Sequence, residues 1–296
     1  MKNILSALTL SLLLGTAMSA NAAAPKAKSP QAVAAVAAVA ASKGPSAGDW
    51  RVPDPENVVV IDTTKGRIIV ELSPELAPNH VARFKELTRE GFYNGLKFHR
   101  VINEFMAQTG DPKGTGEGGS TKPDVVAEFT YRRGPQSPFT PISQPIGIQS
   151  GFVGAVPIMT QIDDLMAMTA DGKVHAWGQF CPGVLGAARG ENPDSANSQF
   201  FLMRQAFPSL DKRYTAYGQT LSGLSIVRAI KTGEPVVDPD TMTKVQILAD
   251  MPAAERPSIK VLDVRSGYFK AMVETLRAKK GADFSACDID LPVEVR

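Results

Sequence analysis

Histidine is scarce in this chain, with 3 in 296 residues, and cysteine is scarcer, with 2. His80, His99 and His175 fall neither four residues apart nor in an H-E-x-x-H arrangement, so no convergent zinc-ligand set is written in the sequence. No metal and no cofactor are expected. A surplus of one charge sign is also missing. Lys and Arg total 32 against 30 Asp and Glu, a net charge of +2, which gives no basic stripe for a nucleic acid. After the first segment no apolar run approaches the ~18 residues that mark a membrane span. What remains is 43% hydrophobic and 21% charged, a globular composition in a chain long enough to bury a core.

The N-terminus has its own pattern. Lys2 precedes an apolar stretch at residues 4–14, about a dozen residues and too short to cross a bilayer. Ala20-Asn21-Ala22 then supplies an A-x-A cleavage signal. Residues 1–22 read as a signal peptide cut after Ala22, with a retained anchor as the alternative. Cleavage removes Lys2, so the mature charge is about +1. Residues 23–49, rich in Ala, Pro, Lys and Ser, read as a flexible spacer. In an oxidising compartment Cys181 and Cys287 could pair, closing a loop of about 100 residues. Two unpaired thiols fit equally well, because spacing carries no geometry.

From Trp50 onward β-branched runs begin. Val58-Val59-Val60-Ile61 and Ile68-Ile69-Val70 flank Thr63-Thr64-Lys65-Gly66, the pattern of a hairpin. Val81, Phe84 and Leu87 fall at helical spacing over residues 78–90, with Pro78 suited to the first turn and Gly91 to the end. Further strands are expected at 98–108, 183–185 and 199–202, a second helix at 222–232, a closing strand at 259–264 and a C-terminal helix at 267–280. The segment 131–183 is rich in Pro and Gly and then in Met, and reads as an elaborated loop without a core of its own. Many short strands with two core helices suggest a small barrel capped by helices.

Two motifs mislead. Gly114-Thr115-Gly116-Glu117-Gly118-Gly119 fits G-x-G-x-x-G, but no helix pattern follows it, so a plain glycine-rich turn is the better reading. Gly44-Pro45-Ser46-Ala47-Gly48 fits G-x-S-x-G but lies in the spacer and follows no core strand.

A third motif is longer. Phe98-His99-Arg100-Val101-Ile102-Asn103-Glu104-Phe105-Met106-Ala107-Gln108-Thr109-Gly110-Asp111 resembles the cyclophilin motif F-H-R-V-I-x-x-F-M-x-Q-x-G-D at every specified position. Ala188-Arg189, then Pro193, Ser195 and Ser198-Gln199-Phe200-Phe201, are similar to the family's M-A-R-x-x-x-P-x-S-x-x-S-Q-F-F. Leu210-Asp211, Tyr214-Thr215 and Gly218 are similar to its L-D-x-x-Y-T-x-F-G. The blocks stand in the family's order, and the resemblance covers roughly residues 56–130 and 183–265. It implies a mainly β, closed eight-stranded barrel capped by two α-helices, spanning residues 50–266. A large loop insertion at about 131–183 and a helix and tail at 267–296 are added to it.

The resemblance also implies an activity, peptidyl-prolyl cis/trans isomerisation, and a bacterial source; with the secretory route that the N-terminal signal points to, a periplasmic protein is expected. Its partners would be proline-containing segments of other exported proteins. Nucleic acid is not among them, no stable membrane span remains after signal removal, and a monomer is expected. The rival readings are a catalytically weak peptide-binding chaperone on the same fold, and a scaffold docked to an envelope complex.

Physics gives the matched residues a coherent task. Amide resonance sets a rotation barrier of ~18–20 kcal/mol. A catalyst must weaken that resonance at the prolyl nitrogen and grip the ring while the carbonyl turns. Arg100 has a rigid donor fork for the first part, and Gln108 can orient it. Phe105, Met106, Phe201 and Leu210 can form the apolar slot, with Phe200 as the core-facing neighbour of Phe201. By resemblance, Gln199 lines the substrate groove, Tyr214 walls the pocket, and Ala188 and Arg189 offer backbone groups to an extended peptide. His99 resembles the family's His at the edge of the site, and a structural hydrogen-bonding role fits it as well. Three positions depart from the family. Ser209 stands where Trp is frequent, which implies weak cyclosporin affinity. Tyr214 stands where many members have His, and Ala187 replaces a common Met. The insertion either borders the groove and shapes substrate choice, or packs elsewhere as decoration.

Overall fold

The β-branched runs pair first. In the computed structural model, which describes residues 44–296, β1 (Trp50–Arg51) leads into β2 (Val58–Thr63) and β3 (Gly66–Leu72). β2 and β3 form a hairpin in which Thr63 pairs with Gly66 around a two-residue turn. The expected signal segment 1–22 and residues 23–43 of the spacer lie outside the described residues. α1 (Pro78–Arg89) follows, then β4 (Arg100–Ile102) and β5 (Met106–Thr109). Next come β6 (Tyr131–Arg133), β7 (Phe139–Ser143), β8 (Ile148–Val153), β9 (Val156–Gln161) and β10 (Val174–Gly178). The chain continues through β11 (Val184–Ala187), β12 (Phe200–Met203), β13 (Ala216–Ser222) and a short α2 (Leu224–Ala229). It ends with β14 (Met242–Ile247), β15 (Ile259–Leu262), α3 (Gly267–Lys280) and β16 (Val293–Val295).

Eight strands make one antiparallel sheet in the order β14-β2-β3-β13-β11-β12-β5-β4. The sheet is strongly curled, but its two edge strands do not pair, so the expected closed barrel is corrected to an open one. The gap is crossed by the segment between α2 and β14, through single bridges from Val101 to Gly233 and from Lys97 to Thr241.

Both faces of the hairpin are covered, which explains its near-continuous apolar sequence. Val59, Ile61, Ile68 and Val70 enter the main core, while Val58, Val60 and Ile69 point to a second cluster with Leu248, Met251, Ile259 and Val261. α1 and α2 close the main core with Val81, Phe84, Leu87 and Val227. Phe84 stacks on Tyr93 at 4.9 Å and meets Phe200 edge-on at 5.1 Å. α1 has no capping side chain of its own at Ala77. Glu128 supplies the cap from outside, accepting from the backbone N–H groups of Asn79 (3.1 Å) and His80 (3.0 Å) and contacting the His80 ring at 2.7 Å.

Three sequence expectations are corrected. The segment 131–183 is a five-stranded antiparallel sheet, β6-β10-β9-β8-β7, and not a loop. It buries Val153, Val156, Ile158 and Ala176 together with Leu76. Its strands are short and interrupted by Pro and Gly, which hid them. The strand expected at 259–264 does not complete the barrel: β15 sits between β1 and β16 in a separate three-stranded sheet, and β14 takes the barrel position. The second helix is shorter than residues 222–232, ending at Ala229 before the β-extended Ile230.

At the C-terminus Ser266 caps α3 by accepting from the Phe269 N–H (3.1 Å). Phe269 and Val273 pack against Ile142 and Phe152 of the five-stranded sheet. The sulfurs of Cys181 and Cys287 are bonded across a sequence separation of 106, which fastens the tail to the segment between β10 and β11.

Candidate active site

Four strands bring the motifs into one row. Arg100 on β4 stands opposite Gln108 on β5, Gln108 opposite Phe201 on β12, and Phe201 opposite Gly186 on β11. Residues in register across a sheet share a face, so these side chains project together, and Met106, two residues from Gln108, joins them. Gly186 makes room for this arrangement: a Cβ there would lie 2.5 Å from the Phe201 ring and 2.7 Å from that of Phe180. Phe200 points the other way and is fully buried in the main core.

The row opens into a pocket of about 200 Å³. Phe105, Met106, Phe201 and Leu210 give it apolar walls, and Arg100 and Gln108 stand on its lining. Leu210 ends a short 3₁₀ turn, Pro208–Leu210. Tyr214 meets Phe201 edge-on at 6.0 Å, and the Arg189 guanidinium lies 4.6 Å above the Tyr214 ring while Nη2 donates to the Arg213 carbonyl (3.0 Å). Ala188 completes the lining. Its N–H already donates to the Gln199 carbonyl (3.0 Å), so of that residue only the carbonyl is left for a peptide.

Polar side chains form a relay along the mouth. Arg100 Nη1 donates to Gln108 Oε1 at 3.4 Å, Gln108 Nε2 to Gln199 Oε1 at 2.8 Å, and Gln199 Nε2 to the carbonyls of Gly116 and Gly118, both at 2.8 Å. Gln199 therefore lies outside the pocket and acts from a neighbouring groove of about 550 Å³, which shares Gln108, Ala188 and Arg189 with it. That groove is edged by the glycine-rich turn. Asp111, 1% exposed, holds the turn by accepting from the N–H groups of Lys113 (2.7 Å), Thr115 (2.8 Å) and Gly116 (2.6 Å). Burial pushes the Asp111 carboxyl up, but these backbone donors outweigh it and hold it below the usual carboxylate range.

His99 is not on the pocket wall. It is 5% exposed and lies beneath the turn, its ring 3.9 Å from where a Cβ on Gly116 would be. Burial pulls its pKa below the ordinary value. His99 thus occupies a buried place under the loop that edges the neighbouring groove, because its neighbour Arg100 takes the outward position in the strand.

Sequence reasoning missed two neighbours of the site. Glu234 accepts a 2.5 Å hydrogen bond from Arg100 Nε, and Phe207, 39% exposed, packs on Phe105 with ring centroids 4.4 Å apart. Phe207 lies three residues from Leu210 and could have been suspected; Glu234 has no local signal.

Comparison with known proteins identifies the family. The family model "Cyclophilin type peptidyl-prolyl cis-trans isomerase/CLD" matches residues 58–249. A probable peptidyl-prolyl cis-trans isomerase of Brucella suis is 37% identical over 235 residues, covering 74% of this chain and 96% of its own. The peptidyl-prolyl cis-trans isomerase-like 1 protein of Mus musculus is 29% identical over 204 residues, covering 69% and 95%. The crystal structure of cyclophilin AquaCyp293 from Hirschia baltica aligns with a TM-score of 0.77 at 37% identity, covering 83% of this chain and 93% of that one. The chain belongs to the cyclophilin-type peptidyl-prolyl cis-trans isomerases.

Proposed function

We propose that this isomerase acts on Xaa-Pro bonds in unfolded and loop segments of exported proteins, with Arg100 as its central catalytic residue. The observation that carries the assignment is the placement of a guanidinium at the mouth of an apolar pocket sized for a small ring. Phe105, Met106, Phe201 and Leu210 grip the proline. Arg100 Nη2 and the free Nη1 proton donate to the prolyl nitrogen as its lone pair localises, and to the flanking carbonyl. Gln108 steadies the fork, itself held by Gln199. Tyr214 and Arg189 form the wall against which the preceding residue turns.

Arg100 does not supply the whole effect. A millionfold acceleration needs ~8 kcal/mol, while one hydrogen bond to a charged group contributes ~1.5–3 kcal/mol. The remainder comes from positioning and from a dry pocket complementary to the twisted bond. No proton is transferred, so a histidine within reach is unnecessary.

Export rests on the signal-like residues 1–22, and a Cys181–Cys287 bridge suits an oxidising periplasm. The protein works as a monomer without nucleic acid or a retained membrane span.

The test is isomerisation of an Xaa-Pro peptide by residues 23–296 beside the Arg100→Ala variant. The expected result is strong acceleration by the wild type and a loss of about 100-fold or more in kcat/KM for a variant that stays folded. A folded wild type that binds the peptide yet leaves exchange unchanged would make the protein a peptide-binding module instead.

A further inference from the structure

Arg100 carries five N–H donors in a fixed plane, and the orientation of that plane decides which of them face the substrate. Gln108 is a weak restraint, at 3.4 Å. The short contact is on the opposite side, from Nε to Glu234 Oε1 at 2.5 Å.

The position of Glu234 follows from the backbone. The segment between α2 and β14 crosses the open side of the curled sheet and pairs with β4 on both flanks of Arg100. Val101 N–H donates to the Gly233 carbonyl (2.9 Å), Gly233 N–H returns the bond to Val101 (2.8 Å), and Val236 N–H donates to the His99 carbonyl (3.1 Å). Asp240 anchors the far end by accepting from the Lys231 N–H (2.9 Å) and the Thr64 hydroxyl (2.7 Å). With residues 99 and 101 tied to 236 and 233, Glu234 is set beside Arg100 by main-chain pairing, independently of any charge.

We propose that Glu234 is the positioning residue for Arg100. By accepting the Nε–H hydrogen bond it turns the guanidinium edge-on, so that Nη1 and Nη2 face the pocket before substrate arrives. This rests on the assignment of Arg100 as the catalytic residue. The bond lies at the rim, with the Arg100 and Glu234 side chains 42% and 49% exposed, so solvent screens the charge attraction and geometry is the larger contribution. Gln in place of Glu keeps an acceptor oxygen at the same reach; Ala removes it.

The experiment compares wild type with Glu234→Ala and Glu234→Gln by peptide isomerisation, and follows the Arg100 Nε–H signal in ¹⁵N-resolved NMR, assigned by its loss in Arg100→Lys. Glu234→Ala is expected to lower kcat about tenfold with KM little changed, because pre-orientation acts in the twisted state. Glu234→Gln is expected to stay within about threefold of wild type. The Nε–H signal should be protected from exchange in wild type and Gln and lost in Ala. Equal rates in all three proteins overturn the proposal, as does a loss of activity shared by Gln and Ala with an unchanged Nε–H signal. Faster turnover in both variants also overturns it, since the carboxylate would then only dampen the guanidinium charge. An inactive wild type defeats the catalytic assignment of Arg100, and in that case the Nε–H signal alone decides whether Glu234 orients it.

Discussion

The strands that carry the pocket and the five-stranded sheet inserted beside them are built on different terms. Around β4, β5 and β12 the polar working side chains Arg100, Gln108 and Gln199 are half-buried, linked in a thin relay above the buried Met106 and Phe201. In the inserted sheet the polar group is sunk: Arg133 is 4% exposed, donates to Thr160 (3.0 Å) and Asp163, and stacks on Phe139 with its guanidinium 4.6 Å from the ring centre. None of β6–β10 lines the 200 Å³ pocket. They reach the back of its wall. Trp177 lies under Lys212 at 3.7 Å, and the chain leaving β10 places Phe180 stacked on Phe201 at 5.8 Å. The pocket strands therefore supply chemistry, and the insertion supplies a brace for the Leu210–Tyr214 segment. A family site can be left intact while its surroundings are rebuilt, provided the new material presses on the wall from behind.

The firmest test of this division is at Gly178, the last residue of β10. A Cβ there would fall 2.4 Å from the Ala216 Cβ on β13, so Gly178→Val has to push the two sheets apart. Overpacking of this kind costs ~1–3 kcal/mol. Urea unfolding should show that loss, and kcat/KM should fall with it even where the variant is fully folded, because Ala216 lies only two residues from Tyr214 of the pocket wall. A fully active, fully stable variant would mean that the brace does not bear on the pocket.

Glu128 sharpens the same comparison from the other side. It precedes β6, its N–H donates to Thr215 Oγ1 (3.1 Å), and its carboxylate caps α1. Burial pushes that carboxyl up, and the bonds from His80 and Asn79 outweigh burial and hold it below its ordinary value. Glu128→Ala should lose about 1–2 kcal/mol of stability, the usual scale for a lost cap, while kcat/KM at low temperature stays near wild type. A selective loss of activity at unchanged stability would place Glu128 in the site after all.

The smallest effect is expected at Asp211, where wall and brace are joined by the Phe180 N–H donating to Oδ1 (2.9 Å). Burial raises the Asp211 pKa to about 6. A carboxyl raised on folding contributes stability that is present below its unfolded pKa, near 4, and is lost as pH climbs through about 6. Stability should therefore drop by on the order of 1 kcal/mol between pH 4 and 6.5, a figure reduced for partial solvent screening. Asp211→Asn, which keeps the acceptor, should flatten that segment of the curve. An identical pH profile in the variant would show that Asp211 titrates near its ordinary value.

These contrasts also explain what could be read in advance. The pocket was legible because its residues sit on contiguous runs whose alternation fixes which side each takes: Phe200 inward, Phe201 outward. The same rule sends His99, beside the outward Arg100, under the loop. Glu234 was not legible, because it meets Arg100 through two isolated bridges between segments more than a hundred residues apart in sequence. The inserted strands were hidden by Pro141, Pro157, Gly151 and Gly154, which interrupt a β pattern on paper: in the fold Pro141 and Gly151 face each other at a bulge, Pro157 stands near the start of β9, and Gly154 is in a turn. β14 was overlooked because Thr243 and Lys244 are exposed where its pairing with β2 shifts register.

The small outer sheet has a consequence for the chain as a whole. β1 and β16 flank β15 and run parallel to each other, with Trp50 beside Leu262 and Val295 beside Ile259, so the outer ends of the two strands lie two strand widths apart and three residues offset, on the order of 14 Å. Topologically the domain is close to a ring. A short linker could join its ends, and the ring could then be reopened at a remote turn such as the one carrying the fully exposed Ile146, giving a new order of segments with the same eight-stranded sheet and the same pocket.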